Sequence, residues 1–252
     1  MGGKIGQFVW HELMTTDVAA AKTFYGQLLG WDVENSPHMA YSLWKASGEI
    51  VAGLMAMPPE VKAMGVPPHW MGYVQVEDVD AVVRKVRELG GTVHVSGKDV
   101  PGVGRFAVLA DPQGAAFSVL EAAEGSQSPC GKDLFGWADL STTDWQAAWK
   151  FYEAIFGWKH TRAMEMGPEL GTYFMFGLDG EKSMGGMSNA SKQAGAPAYW
   201  VHYIEVADCD ATTKRVPELG GKVHYGPADI PGGGRMSHCR DPQGAEFALY
   251  SM

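Results

Sequence analysis

The amino-acid sequence contains an internal repeat. The segment from Trp10 to Asp17 recurs as Trp137 to Asp144, 127 residues further along the chain. A later block, Asp111-Pro112-Gln113-Gly114, recurs as Asp241-Pro242-Gln243-Gly244, now 130 residues away, so the second copy has gained three residues between the two blocks. A repeat of this length means that one supersecondary plan is used twice, and it constrains the architecture more than any single motif does.

The repeat divides the chain into two domains of ordinary size. The chain has 252 residues, of which 46% are hydrophobic, and this is enough material for two packed cores. The residues between the copies are small and polar and are interrupted by glycine and proline, a composition typical of a linker. We therefore predict a first domain over residues 1–121, a linker over residues 122–133 and a second domain over residues 134–252.

Each copy contains the pattern of two βαβββ units. In the first unit, Phe8 to Met14 is a strand-like run, Asp17 is placed to cap a helix, and Gly30 is placed to end it. The second unit follows the same plan, with a strand over Tyr73 to Val76 and a helix cap at Asp78. The Asp-Pro-Gln-Gly blocks carry proline and glycine where a type I turn accepts them, and they predict hairpins of antiparallel strands. The predicted fold class is α+β.

Charge and cysteine usage exclude several classes of protein. The 29 acidic and 20 basic residues give a net charge of −9, which opposes binding to nucleic acid or to an anionic membrane surface. The three cysteines are odd in number and widely spaced, so neither a disulfide framework nor a zinc ribbon is indicated. The amino terminus has no apolar signal region, and no apolar run approaches the roughly 18 residues of a membrane span. We therefore expect a cytoplasmic protein.

With these features the sequence resembles the vicinal oxygen chelate superfamily, which contains glyoxalase I, bleomycin-resistance proteins and extradiol dioxygenases. The resemblance is carried by Asp17 with Phe24-Tyr25, by the helix end Leu89-Gly90-Gly91 and by Asp111-Pro112-Gln113-Gly114, all present again in the second copy. It implies two tandem glyoxalase-like domains, each a pair of βαβββ units that form a curved mixed sheet with a concave cup. The resemblance is specific for fold but not for reaction, because this superfamily hosts unrelated chemistries on one scaffold.

The resemblance also implies where a divalent metal would be bound, since the family's enzymes hold it with His, Glu or Gln on the inward face of four strands. Three of the four positions correspond here to the pairs Trp10 and Trp137, Met71 and Val201, and Ser118 and Ala248. The fourth falls within residues 53–57 and 183–187, where no His, Asp, Glu or Gln occurs. Indole, thioether and aliphatic side chains do not replace imidazole or carboxylate as metal ligands. We therefore predict no metal site and no cofactor.

Strand alternation places two carboxylates beside these positions. If Trp10 faces the cup, so does Glu12, and Asp139 shares a face with Trp137 in the second copy. Each carboxylate is predicted to act as a general base or ligand anchor, or to be satisfied by a neighbouring backbone group or tyrosine hydroxyl. The residues predicted to line the ligand site are Trp10, Met71, Tyr73, Gln75, Ser118, Trp137, Tyr203, Glu205 and Glu246.

Two other features carry weaker indications. The histidines show no metal-ligand spacing, so structural histidines are favoured over an unconventional metal site built from Glu12 with His69 or His202. The glycine loops at residues 101–105 and 231–235 lack the features of a phosphate-binding loop, and they predict turns in which the arginine faces substrate or is structural.

These observations favour a glyoxalase-like protein that binds a small, largely apolar or aromatic metabolite in cups formed where the two halves meet. Catalysis, where present, is predicted to be metal-independent acid–base work by Glu12 or Asp139. The alternative is a divalent-metal-dependent lyase, isomerase or oxygenase that uses displaced ligands, and a third class is a sequestration or accessory module without turnover. Because one chain supplies both halves, a monomer suffices, and further association through exposed strands stays open.

Overall fold

The computed structural model describes residues 3–36, 40–123 and 134–252. Within these ranges, strands and helices follow each other in the order that the repeat predicts. The elements of the first copy are β1 (Phe8–Thr15), α1 (Val18–Leu29), β2 (Asp32–Asn35), β3 (Tyr41–Ala46), β4 (Glu49–Ala56), α2 (Pro59–Ala63), β5 (His69–Gln75), α3 (Val79–Glu88), β6 (Thr92–Val100), β7 (Gly104–Ala110) and β8 (Ala116–Ala122).

The second copy repeats this order, with α5 as an additional short helix between its second and third strands. Its elements are β9 (Trp137–Ser141), α4 (Trp145–Phe156), β10 (Lys159–Glu165), α5 (Gly167–Leu170), β11 (Thr172–Gly177), β12 (Gly185–Ser188), α6 (Ala190–Ala194), β13 (Tyr199–Glu205), α7 (Cys209–Glu218), β14 (Lys222–Asp229), β15 (Arg235–Arg240) and β16 (Glu246–Ser251). Most of the predicted linker, residues 124–133, lies outside the described residues.

Helix boundaries follow from local chemistry. Asp17 and Asp144 each accept a hydrogen bond from the backbone N–H three residues further on, at 2.9 and 3.1 Å, which satisfies a donor that the first helical turn leaves unpaired. The same helices end at Gly30 and Gly157, whose φ angles of 70° and 68° lie in the left-handed region that glycine enters without strain. The predicted caps and helix ends are confirmed.

Each copy forms an eight-stranded mixed sheet. The strand orders are β2-β3-β4-β1-β5-β8-β7-β6 and β10-β11-β12-β9-β13-β16-β15-β14. Strands β1 and β4 pair in parallel, as do β5 and β8, whereas the Asp-Pro-Gln-Gly turns connect antiparallel pairs, β7 with β8 and β15 with β16. The predicted α+β class, with two βαβββ units in each copy, is confirmed.

Packing divides the chain differently from the sequence repeat. Unit 1 comprises the described residues of Met1–Val9, Gly72–Pro129 and Trp137–Val201, and unit 2 those of Trp10–Met71, Cys130–Gly136 and His202–Met252. Each unit thus combines half of one copy with half of the other. The boundaries predicted near residues 121 and 134 separate the two copies of the sequence repeat and not the two packed units. As boundaries of the copies they stay a prediction.

Each unit has its own aromatic core. The core of unit 1 includes Trp158, Trp200, Phe117 and Tyr152, all buried. The core of unit 2 includes Trp31, Trp44, Trp70, Tyr25 and Phe247. In the described part of the chain, no helix is both long and apolar enough to cross a membrane.

Candidate functional site

In unit 1, the predicted carboxylate Asp139 is held by two aromatic side chains. Trp137 Nε1 donates a hydrogen bond of 2.9 Å to Asp139 Oδ1, and the hydroxyl of Tyr173 donates one of 2.5 Å to the same oxygen. Trp137 Nε1 also lies 2.9 Å from the Tyr173 hydroxyl oxygen. All three side chains are half-buried. We call Trp137, Tyr173 and Asp139 the unit 1 triad; it fixes the direction of a carboxylate within an aromatic wall.

The unit 1 triad depends on a glycine on the neighbouring strand. Asp139 on β9 is in register with Gly186 on β12, and a Cβ atom on Gly186 would collide with the ring and hydroxyl of Tyr173. Burial, together with the charge of Asp139, raises the pKa of Tyr173 well above its usual value. The tyrosine is therefore a neutral hydrogen-bond donor at neutral pH.

Unit 2 contains the corresponding residues of the first copy. Trp10 Nε1 donates a hydrogen bond of 3.2 Å to the hydroxyl oxygen of Tyr41, and Trp10 is buried. Glu12, only 6% exposed, is in register with Gly53 on β4. A Cβ atom on Gly53 would collide with the Tyr41 hydroxyl, so Tyr41 covers the strand position beside Glu12. The same combination of Trp, Tyr, carboxylate and glycine thus occurs in both copies.

The residues at the family's metal positions do not fit a divalent metal. Two positions hold the indoles of Trp10 and Trp137, whose N–H groups are donors and are both bonded to tyrosine oxygens. At Gly53 and Gly186, within the stretches where the fourth ligand would fall, tyrosine occupies the space that a ligand side chain would need. Among the described residues, no three His, Cys, Asp or Glu side chains are grouped as a metal site requires. No metal-dependent step can therefore be derived from these positions.

The remaining predicted residues of unit 1 lie on two paired strands, β5 and β8. Tyr73 on β5 is in register with Ser118 on β8, and its ring lies 6.2 Å from that of Phe106. Ser118 Oγ is completely buried and has no hydrogen-bond partner among the described residues. Gln75 Nε2 lies 3.4 Å from the backbone oxygen of Val76.

In unit 2, the corresponding strand face of the second copy is polar. Tyr203 on β13 and His238 on β15 are both in register with Ala248 on β16, so the three share a face. The hydroxyl oxygen of Tyr203 lies 2.6 Å from His238 Nε2, and the ring of the exposed Tyr225 meets the imidazole edge-on at 6.5 Å. Since both Tyr203 and His238 can donate, the bond direction depends on the imidazole tautomer.

The two predicted glutamates of this face lie beside other ionisable groups. Arg240 Nε donates a hydrogen bond of 2.6 Å to Glu246 Oε1, and His224 Nε2 lies 3.6 Å from Glu246 Oε2. The hydroxyl of Tyr250 lies 3.5 Å from Glu205 Oε2. Met71, the last predicted lining residue, is also in unit 2 and is buried.

Two histidines lie in the interior of unit 2. The His11 ring stacks on Phe135 with centroids 3.9 Å apart and meets the His202 ring edge-on at 4.7 Å. Burial lowers the pKa of His202 to about 3, and burial together with the charge of His202 lowers the pKa of His11. His69 Nδ1 lies 2.8 Å from the Pro67 backbone oxygen, and burial lowers its pKa as well. These three histidines are therefore uncharged at neutral pH.

The arginines of the two glycine loops are structural. Arg235 donates hydrogen bonds to both carboxylate oxygens of Asp210, at 2.7 and 2.8 Å, and to Asp229 at 2.8 Å. Arg105 donates one hydrogen bond to Asp99, at 2.9 Å, and one to Asp80, at 3.1 Å. Each arginine thus connects a helix to the hairpin that follows it. Of the two predicted roles, facing substrate or stabilising the turn, the contacts fit the structural role for both arginines.

Three candidate residues escaped the sequence analysis: Tyr41, Tyr173 and His238. The two tyrosines lie 132 residues apart, a spacing that neither 127 nor 130 matches, because the added residues fall around the strands that carry them. Pairing Tyr41 with Tyr173 requires a local gain of five residues before β11, two of which are lost again before the spacing of 130 is reached at Tyr73 and Tyr203, so the net gain of three residues did not indicate it. His238 corresponds to Val108 in the first copy, so the repeat itself gave no indication of it.

Comparison with known proteins identifies the fold family. The model of the Glyoxalase/Bleomycin resistance protein/Dioxygenase superfamily matches residues 4–119 and 134–249. CFP32 of Mycobacterium bovis, provisionally named a glyoxylase, is 37% identical over 246 residues, which is 95% of this chain and 92% of the relative. The anthracycline biosynthesis protein DnrV of Streptomyces peucetius is 32% identical over 265 residues, covering 98% of this chain and 94% of the relative.

Solved structures share the architecture at low sequence identity. The Mn(II)-bound glyoxalase from Novosphingobium aromaticivorans has a TM-score of 0.69 and 15% identity, with 98% of this chain and 82% of that chain covered. The halotolerant catechol dioxygenase BphC has a TM-score of 0.67 and 13% identity, with 98% and 87% covered. At these identities the likeness concerns the fold alone.

Proposed function

The chain belongs to the Glyoxalase/Bleomycin resistance protein/Dioxygenase superfamily, and on that premise we propose that it binds a small, largely apolar or aromatic metabolite without a divalent metal. The observation that carries the proposal is the unit 1 triad. At the metal positions that the family resemblance implies, the triad presents two aromatic side chains, and beside them it holds an oriented carboxylate. Such a set matches the usual composition of a small-molecule site, with apolar walls and a few placed polar groups.

The relatives support an aromatic ligand. DnrV, which covers nearly all of this chain, is an anthracycline biosynthesis protein, and anthracyclines are polycyclic aromatic compounds. A planar aromatic ligand would pack against indole and phenol rings, which favour offset or edge-to-face contacts with other rings. The net charge of −9 supports a small-molecule partner over nucleic acid or an anionic membrane.

Asp139 is the group we propose for acid–base work, with Glu12 as its counterpart. Trp137 and Tyr173 hold Asp139 in one orientation, and an oriented carboxylate can accept a proton or a hydrogen bond from a ligand hydroxyl. Because the pKa of Tyr173 is raised, the phenol remains a donor while the carboxylate accepts.

The first experiment combines metal analysis with ligand binding. Protein is purified without chelators or a metal-carrying tag, its metal content is measured by elemental analysis, and its tryptophan fluorescence is titrated with planar aromatic compounds. We expect less than about a tenth of an equivalent of metal per chain, which is the level of contamination. We also expect saturable quenching of the tryptophan fluorescence by the aromatic compound, and EDTA should leave this quenching unchanged. Near-stoichiometric nickel, zinc, iron or manganese, or loss of binding with EDTA, would overturn the proposal.

The carboxylates are tested by isosteric replacement. Asp139→Asn and Glu12→Gln keep side-chain shape but remove the negative charge, so ligand binding should persist while any turnover is lost. Glu60→Gln, on the exposed surface of α2, is the matched control and should change neither. Turnover that survives both replacements would remove Asp139 and Glu12 from the mechanism.

A further inference from the structure

We infer that Tyr203 and His238 form a proton-accepting pair in unit 2, present in the second copy only, that recognises an acidic hydroxyl group, such as a phenol or an enol, on a ligand bound within that unit. This inference rests on the proposed function, because an aromatic ligand supplies the frame that bears such a hydroxyl. His238 is the group that meets the ligand, and Tyr203 is a positioning residue.

The geometry of the pair is that of an oriented imidazole. The Tyr203 hydroxyl oxygen lies 2.6 Å from His238 Nε2, and the two rings meet edge-on with centroids 5.4 Å apart. Tyr203 is buried, whereas His238 is half-buried and so remains open to a ligand. The strand between them contributes only the methyl group of Ala248, which leaves room for the tyrosine to reach across to the histidine.

The first copy shows that the fold does not require this pair. Tyr73 occupies the position of Tyr203, but the residue in register on β7, across Ser118, is Val108. The first copy therefore has a valine at the position equivalent to His238 and still forms the same strand pairing. The first sheet contains no equivalent of the Tyr203–His238 pair at these positions. An imidazole whose orientation is fixed by a second side chain and which stays partly open is suited to acid–base chemistry.

Neighbouring elements supply further titratable groups, which are largely engaged with each other. Strand β14 contributes Tyr225, which contacts the imidazole edge, and His224, which lies near Glu246. Glu246 on β16 accepts a hydrogen bond from Arg240 on β15, and Tyr250 lies near Glu205 of β13. The positive charge of Arg240 is thus matched locally, and the imidazole of His238 is hydrogen-bonded to the hydroxyl of an uncharged tyrosine.

Proton transfer at this pair balances without any co-reactant. In the tautomer whose Nε2–H donates to the Tyr203 oxygen, the ligand O–H bond breaks and the proton forms an N–H bond at Nδ1 of His238, so the products are a ligand oxyanion and an imidazolium cation in contact. Both imidazolium nitrogens are donors, so Nε2–H donates to the Tyr203 oxygen and the pair stays hydrogen-bonded. The oxyanion gains an adjacent positive charge, which favours the ionised form of the bound ligand.

The test uses alizarin, a dihydroxyanthraquinone whose phenolic ionisation changes its visible colour from yellow to red. We expect the wild-type protein to bind alizarin and to lower its apparent pKa by about one unit, which is an increase of about tenfold in the ratio of ionised to neutral dye. His238→Val, which introduces the residue of the first copy, and Tyr203→Phe should both reduce this spectral shift. His94→Val, an exposed histidine on β6, is the matched control and should keep the wild-type shift.

Two measurements separate this inference from the proposed function. The dimethyl ether of alizarin cannot ionise, so its binding, followed by tryptophan fluorescence, reports only on the aromatic site. Binding of the ether without an ionisation shift in alizarin, or an unchanged shift in folded His238→Val and His238→Asn, would overturn the role of His238. Failure of both compounds to bind would overturn the proposed aromatic ligand and this inference together.

Discussion

The hydroxyl group of Tyr25 donates a hydrogen bond of 3.2 Å to Asp241 Oδ2, although the two residues belong to different copies of the repeat. The other carboxylate oxygen of Asp241 accepts backbone N–H groups of its own Asp-Pro-Gln-Gly turn, those of Gln243, Gly244 and Ala245. The same relationship joins Tyr152 to Asp111 at 3.1 Å in unit 1. Each aspartate thus shapes a turn and also binds a helix of the other copy, 216 residues away for Asp241 and 41 residues away for Asp111.

Removing this hydroxyl should destabilise the protein. Tyr25→Phe leaves Asp241 Oδ2 and Trp70 Nε1, which donates to Tyr25 at 2.9 Å, without their buried partner. We expect the free energy of unfolding to fall by about 1–3 kcal/mol, the cost of orphaned buried polar groups. Urea unfolding followed by fluorescence measures it, and Tyr225→Phe, on a ring that is 61% exposed, should change it far less. Equal losses in the two variants would contradict the assigned role.

Stability should fall as the solution becomes acidic, because His11 and His202 are buried in the uncharged form. Burial holds the folded-state pKa of His202 at about 3, and that of His11 is also lowered, whereas the unfolded chain has histidine pKa values of roughly 6.5. Below that value the unfolded state binds more protons, so the histidine contribution is complete above pH 6.5 and is lost on acidification towards pH 3. The expected slope is up to about 1.4 kcal/mol per pH unit for each histidine.

Urea unfolding at pH 7, 6 and 5 checks this dependence. His11→Ala, which introduces the residue found at the equivalent position 138, should flatten the pH profile, whereas His94→Ala, on the exposed face of β6, should not. A profile of equal slope in all three proteins would show that other groups cause the loss.

Adding a methyl group beside the unit 1 triad should disturb it. In Gly186→Ala the new Cβ atom collides with the Tyr173 ring, and overpacking of this kind costs about 1–3 kcal/mol. We expect lower stability and weaker binding of aromatic ligands, both measured by fluorescence. Tyr173→Ala in the same chain removes the colliding ring and should recover stability but not binding. Full binding by Gly186→Ala would mean that the position of Tyr173 is unimportant.

The two loop arginines should contribute little to stability and nothing to ligand binding. Arg105 and Arg235 pair with carboxylates on the protein surface, and Arg235 also donates to the backbone oxygen of Pro227; exposed ion pairs contribute about 0–1 kcal/mol. Arg235→Gln is expected to shift the urea midpoint slightly, with a smaller effect at 1 M salt, where surface charges are screened. A large loss of ligand affinity in Arg235→Gln would instead favour a substrate-facing arginine.

The sequence by itself predicted the elements, because their boundaries depend on neighbouring residues. Asp17 caps α1 and Gly30 ends it through contacts within a few residues, and the Asp-Pro-Gln-Gly blocks form turns for the same reason. Strand alternation also placed Asp139 on the same face as Trp137, where the two side chains are hydrogen-bonded. These interactions are local, so the order of residues along the chain determines them.

Tertiary structure decided which distant residues meet. Tyr173 reaches Asp139 because β11, β12 and β9 pair in one register over Gly186, and His238 reaches Tyr203 because both flank Ala248. Register and long-range packing are properties of the whole sheet, since each strand pairing depends on every residue along both strands. The repeat in the sequence revealed two copies. Which halves pack together depends on long-range burial of the aromatic cores, and each core combines half of one copy with half of the other.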